Sequence, residues 1–128
     1  MKWSAEKVVT EGNRSGCFAD IEMIEQTSEP RLVDFHLEAL TGNEYIVLLR
    51  EDLGEARVLF EEYAFEDVPT HRIIDFINLI ERGEVILSFS RFKWWLSLEV
   101  SIPEGKWVDG RRFRNDLSEW EGGVIASS

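Results

Sequence analysis

A chain of 128 residues with 44% apolar content, including five Trp and eight Phe, can bury a core of its own without disulfides or metal. Its one cysteine, Cys17, excludes an intramolecular disulfide and fits a reducing, cytoplasmic compartment as a small packed hydrophobe. The formal net charge is −11. Residues 1–90 hold 19 acids and 8 bases, whereas residues 91–128 hold 6 of each, so the excess lies in the first part. Such a surface repels nucleic acid and anionic membrane and attracts basic partners. Acidity also aids solubility. Residues 1–12 lack the apolar centre of a signal peptide, and the longest apolar run, residues 45–49, is too short to span a bilayer.

The first sixteen residues are weakly patterned. Trp3, Val8 and Val9 suit either a short strand or a packed terminal arm, and Gly12, Asn13, Ser15 and Gly16 read as a turn. Residues 18–24 and 32–40 then alternate as strands, with Ile21 and Met23 to share a face with Phe35 and Leu37. That pairing requires an even sum of paired positions, hence a connection with an odd number of residues within 27–31. Gly42-Asn43 is a tight-turn signal into residues 44–50. There Tyr45, Val47 and Leu49 alternate with Ile46 and Leu48, which predicts a central strand covered on both faces. A fourth strand spans residues 55–65 after the turn Asp52-Leu53-Gly54.

The period then changes. Ile73, Phe76, Ile77 and Ile80 stand at i, i+3, i+4 and i+7, which predicts an amphipathic helix over 70–82, with Asn78 exposed. Thr70 or Asp67 would cap it and Gly83 would stop it. Val85, Leu87 and Phe89, followed by Phe92, Trp94, Leu96, Leu98, Val100 and Ile102, predict a hairpin turning at 90–93. After Pro103 the pattern fades. Phe113, Leu117 and Trp120 suit one helix over 112–120, and the stretch from Gly122-Gly123 to the last residues reads as frayed. The expectation is one α+β domain over residues 1–128. It has a mainly antiparallel sheet formed by a four-strand meander, one amphipathic helix on one face, and a hairpin.

Asp34, His36 and Glu38 share one strand face, with Asp20 and Glu22 on the preceding strand within reach. A histidine between carboxylates can serve as a general base or metal ligand. The simpler reading is a solvated strand face. Arg111, Arg112 and Arg114 stand near Trp107 and Phe113, which in other settings marks a nucleic-acid patch. Asp109, Asp116, Glu119 and Glu121 predict internal ion pairs instead. No phosphate loop, dinucleotide fingerprint or metal-spaced cysteine set is present, so no catalytic residue, cofactor or metal is assigned.

The acids between Glu44 and Asp67 are opposed by only Arg50 and Arg57. Glu51, Asp52, Glu55, Glu61, Glu62, Glu66 and Asp67, with Tyr63 as an aromatic anchor beside Phe65, make a candidate surface for a basic protein. In size, acidity and fold style the chain resembles the small cytoplasmic immunity proteins of bacterial toxin–immunity pairs. That resemblance implies a non-catalytic inhibitor of a basic, nuclease-type toxin. Two alternatives are a small enzyme or ligand- or metal-binding domain using Asp34, His36 and Glu38, and a phage-encoded inhibitor that mimics nucleic acid.

Overall fold

The structure is a computed structural model describing residues 2–28 and 31–127. The order is α1 (Ala5–Ser15), β1 (Phe18–Ser28), β2 (Arg31–Ala39), β3 (Glu44–Arg50), β4 (Glu55–Phe60), β5 (Tyr63–Pro69), a 3-10 turn (Thr70–Arg72), α2 (Ile73–Glu81), β6 (Ile86–Phe89), β7 (Trp95–Ile102), β8 (Gly105–Arg112) and α3 (Glu119–Ser127). The class is α+β, as the sequence predicts. The strands form two antiparallel sheets, β1-β2-β3-β4-β5 and β6-β7-β8.

The meander has five strands because residues 55–65 do not form one strand. Phe60 pairs with Tyr63, leaving Glu61-Glu62 as a two-residue turn with Glu61 in the left-handed region at φ 53°. Further along, Glu66 and Asp67 together oppose Arg57, and this bulge holds Asp67 at φ 56°. The expected pairing of Ile21 with Leu37 and Met23 with Phe35 is present. An irregularity between Met23 and Glu25 then changes the register, and pairing continues to Ser28↔Arg31. Bulging within β1 supplies the odd residue that was expected of the connection. The intervening Glu29 and Pro30 lie outside the described residues.

The inner face of the larger sheet carries Val33, Phe35, Leu37, Tyr45, Val47, Leu49, Val58, Phe60 and Phe65, all buried. Ile73, Phe76, Ile77 and Ile80 of α2 join them in the core, and Leu98, Val100 and Ile102 of β7 complete it from the smaller sheet. Asn78, expected exposed, is half-buried with an unpartnered Oδ1. Thr70 does not cap α2: its hydroxyl accepts from the Trp3 N–H at 2.9 Å. Asp67 lies in the bulge instead. Gly83 ends the helix at φ 69°, with the Gly83 N–H on the Ile80 carbonyl and the Glu84 N–H on the Leu79 carbonyl, the paired bonds of a Schellman stop.

Residues 5–15, expected as a strand or arm followed by a turn at Gly12, Asn13, Ser15 and Gly16, are helical. The Ser4 hydroxyl accepts from the Lys7 N–H at 3.2 Å, and Gly16 at φ 71° closes the helix. Its buried stripe is Ala5, Val8 and Gly12. A Cβ at Gly12 would lie 2.5 Å from Ile21 Cδ1, so glycine allows the helix to approach β1.

The hairpin after α2 begins its second strand at Trp95, not Phe92, and Phe92 and Trp94 stand exposed in the turn. β8 was not expected. Its inward positions are Trp107, Asp109 and Arg111, and their polar chemistry hides the alternation. Arg112 ends β8, so the helix expected over 112–120 does not form. α3 begins at Glu119 and includes Gly122 and Gly123, expected to be frayed. Trp120 fixes it, standing edge-on to Phe60 with ring centroids 4.9 Å apart and donating its indole N–H to the Ile80 carbonyl at 3.1 Å.

Candidate partner-binding face

Where an amphipathic sheet has one face on the core, its other face needs either solvent-compatible residues or a partner. The outer face of the five-stranded sheet carries Asp34, His36 and Glu38 from β2, Glu44, Ile46, Leu48 and Arg50 from β3, and Glu55, Arg57 and Leu59 from β4, with Arg57 opposite Leu48 and ion-paired to Glu66. No described helix or strand covers it. Ile46 is 38% exposed, and Leu48 and Leu59 are half-buried. The expectation that β3 is central is correct, but the expectation that both its faces are covered is not. β1 adds Asp20 opposite Glu38, Glu22 opposite His36 and Glu25 opposite Asp34. An apolar strip is thus bordered by carboxylates on its β1–β2 side and by the Arg57–Glu66 pair beside Leu48.

At one end this face deepens into an open groove of about 470 Å³, lined by His36, Asn43, Glu44, Ile46, Leu59 and Glu61 among others. His36 Nε2 stands 3.4 Å from Glu44 Oε1. Partial burial raises the Glu61 carboxyl above its ordinary range, although the Ser118 hydroxyl, donating to it at 2.8 Å, acts the other way. Glu81 lies beneath the β2–β3 turn, where it accepts from Thr41 Oγ1 at 2.6 Å, from Asn43 Nδ2 at 2.9 Å and from the Tyr45 hydroxyl. These bonds hold the rim of the groove. Among the described residues, no group of three His, Cys, Asp or Glu side chains is placed to hold a metal ion.

The acids singled out between Glu51 and Asp67 do not form one surface. Glu51 serves the fold: it accepts from the Ala5 N–H at 3.0 Å, at the start of α1, and pairs with Arg31 at 2.9 Å. Asp52 is exposed and Glu55 half-buried near the same β3–β4 end of the sheet. Glu61 and Glu62 occupy the opposite end, at the tip of the β4–β5 hairpin. Glu62 stands 3.5 Å from Arg111. Glu66 pairs with Arg57 at 2.5 Å, and Asp67 is exposed in the bulge.

Tyr63, expected as an aromatic anchor, lies inside the fold. It is 1% exposed and its hydroxyl donates to Glu121, while Phe65 packs against Phe76. Burial, the Glu121 bond and the Glu121 charge all push the Tyr63 hydroxyl well above its ordinary pKa. Among the described residues, the expected internal pairing of the arginine cluster holds for Arg111 and not for Arg112 or Arg114. Arg111 Nη2 meets Glu121 Oε1 at 2.6 Å and Nη1 meets Asp116 Oδ1 at 3.0 Å.

Comparison with protein-family models, curated proteins and solved structures gives no match. No described helix is long and apolar enough to cross a membrane.

Proposed function

We propose that the chain is a non-catalytic binding protein that neutralises a basic partner in the cytoplasm, with a nuclease-type toxin domain as the class best suited to its charge. The observation that carries this reading is the uncovered strip Ile46, Leu48 and Leu59 beside Asp20, Glu22, Asp34, Glu38 and Glu44. An apolar centre with a charged rim is the usual anatomy of a protein interface. Exposed apolar area on an ordered sheet destabilises the free protein in water and is recovered on docking. Carboxylates around it speed encounter with a cationic partner and disfavour anionic ones.

The docking face therefore moves from the turns at Glu51–Asp67 to the broad face of the sheet. Glu44 and Glu61 belong to it. Glu51 and Tyr63 do not, because their polar groups already serve the fold. His36, between Glu22 and Ile46 in the register, adds a polar ring beside Glu44 and no chemistry of its own. The test is amide hydrogen exchange on the protein bound to a partner captured from its native host and identified by mass spectrometry. Protection should gather on β2, β3 and β4. Protection confined to β6–β8, or a partner that is acidic, would contradict the proposal.

A further inference from the structure

The neutral total of residues 91–128 conceals a separation of charge. Glu104 is spent on His71 and Arg72, Asp109 on the Ala64 N–H, and both Asp116 and Glu121 on Arg111. Arg91, Lys93, Arg112 and Arg114 make no ion pair among the described residues, and all four are exposed. They gather at one end of the three-stranded sheet, in the β6–β7 turn and at the end of β8, where Trp95 pairs with Arg112 and the Phe113 N–H donates to the Trp94 carbonyl at 2.8 Å. Between them stand Phe92, 79% exposed, and Trp94, 55% exposed.

The turn that presents these rings is ordered by its own bonds. The Lys93 N–H donates to the Ser90 carbonyl at 2.9 Å, with Lys93 in the left-handed region at φ 56°. The Ser90 N–H donates to the Trp95 carbonyl at 2.8 Å, and the Trp95 N–H to Ser90 Oγ at 3.1 Å. The rings are therefore held outward at little further entropic cost on binding.

We propose that the β6–β7 turn is a docking tip for an anionic lipid surface, with Phe92 and Trp94 entering the interfacial layer and Arg91, Lys93, Arg112 and Arg114 meeting headgroup phosphates. Aromatic rings favour that depth, and cations beside them favour anionic headgroups. A nucleic-acid strand is the less suited polyanion, since it stacks along a track of rings. Here Trp94 and Trp95 are tilted 60° to each other, and Trp95 lies against Gly110, where any Cβ would fall inside the indole. The remaining acidity does not forbid the contact. The nearest carboxylates, Glu62 and Asp116, stand 3.5 and 3.0 Å from Arg111, and Glu61 accepts from the Ser118 hydroxyl at 2.8 Å, so the fold engages them apart from the four tip cations. This inference stands on observations separate from the proposed partner-binding face.

The experiment is co-sedimentation of the full-length protein with large unilamellar vesicles, phosphatidylglycerol against phosphatidylcholine, at physiological ionic strength, where the remaining acidity is screened, with tryptophan emission recorded in parallel. The protein should sediment with the anionic vesicles, with a blue shift, and remain free of the neutral ones. At roughly a factor of five per cation near an anionic surface, R91Q/K93Q should weaken partitioning about twenty-five-fold, and F92S/W94S should abolish the blue shift. Both pairs are exposed, and unchanged circular dichroism would confirm the fold. Absence from the anionic vesicles, or binding untouched by both variants, would overturn the inference. So would tighter, variant-sensitive binding to a single-stranded oligonucleotide.

Discussion

Arg111 and Glu121 form a buried fork, with Nη2 to Oε1 at 2.6 Å and Nε to Oε2 at 2.9 Å. Arg111 is 7% exposed and Glu121 is fully buried. The pair joins β8 to α3, and the Tyr63 hydroxyl joins both to β5. Burying two charges is costly, and removing one partner leaves the other uncompensated. Arg111→Ala should therefore cost about 3–5 kcal/mol in urea melts. Arg111→Met combined with Glu121→Leu should cost less than the sum of the singles, because no charge is left buried alone.

The same fork sets the response to acid. Burial acts to raise the Glu121 carboxyl, and the Arg111 guanidinium, the Ser118 N–H and the Tyr63 hydroxyl outweigh it, so the group titrates below its ordinary 4.5. A carboxyl depressed on folding contributes stability that is present above its unfolded value and lost as pH falls through the folded one. Asp116 and Glu104, also depressed, act with the same sign. Stability should thus hold down to about pH 5 and decline progressively below it. Glu121→Gln should lower stability at neutral pH and flatten the acid limb. A wild-type limb as flat as the variant's would contradict the assignment.

Tyr63→Phe separates architecture from binding. It removes a donor from a buried carboxylate, and should cost about 1–3 kcal/mol by thermal or urea denaturation. Partner affinity should not change, since the ring is enclosed between β8, α3 and the core. An affinity loss exceeding the stability loss would restore Tyr63 to the interface.

On α2, Ile77 is buried and Asn78 half-buried. Ile77→Ala should cost about 2–5 kcal/mol. Asn78→Ala removes an acceptor that has no partner in the structure. It should change stability by less than about 0.5 kcal/mol.

What the sequence revealed followed the strength of its alternation. The strands containing Val33–Ala39, Tyr45–Leu49 and Leu96–Ile102 bury one clean face, and α2 buries a clean helical stripe, so each was readable. The β4–β5 turn lacks glycine and asparagine and was read as strand. A signal was present nonetheless: core positions are even through Ala56, Val58 and Phe60 and odd from Tyr63 and Phe65, and a two-residue turn produces that switch. α1 was missed because its buried stripe, Ala5, Val8 and Gly12, is small and barely apolar. β8 was missed because the polar Asp109 and Arg111 face inward, toward the Ala64 N–H and toward Asp116 and Glu121. The roles of the individual acids were hidden for a related reason. Composition located the carboxylates along the chain, but only the tertiary structure shows that Glu51 supports α1 and Arg31, and that Ile46 and Leu59 remain uncovered.

The central claim is that the outer face of the five-stranded sheet docks a basic protein. Its most direct test is a binding titration of the captured partner at two salt concentrations, with wild type, Ile46→Asp/Leu59→Asp and Glu38→Lys/Glu44→Lys. All four positions are solvent-accessible, and unchanged thermal melting would confirm that the variants fold. Wild-type affinity should fall as salt rises. The apolar pair should weaken binding by at least about 2 kcal/mol, as for residues central to an interface. The charge reversal should chiefly slow association. Affinity independent of salt and unchanged in both variants would show that the partner sits elsewhere.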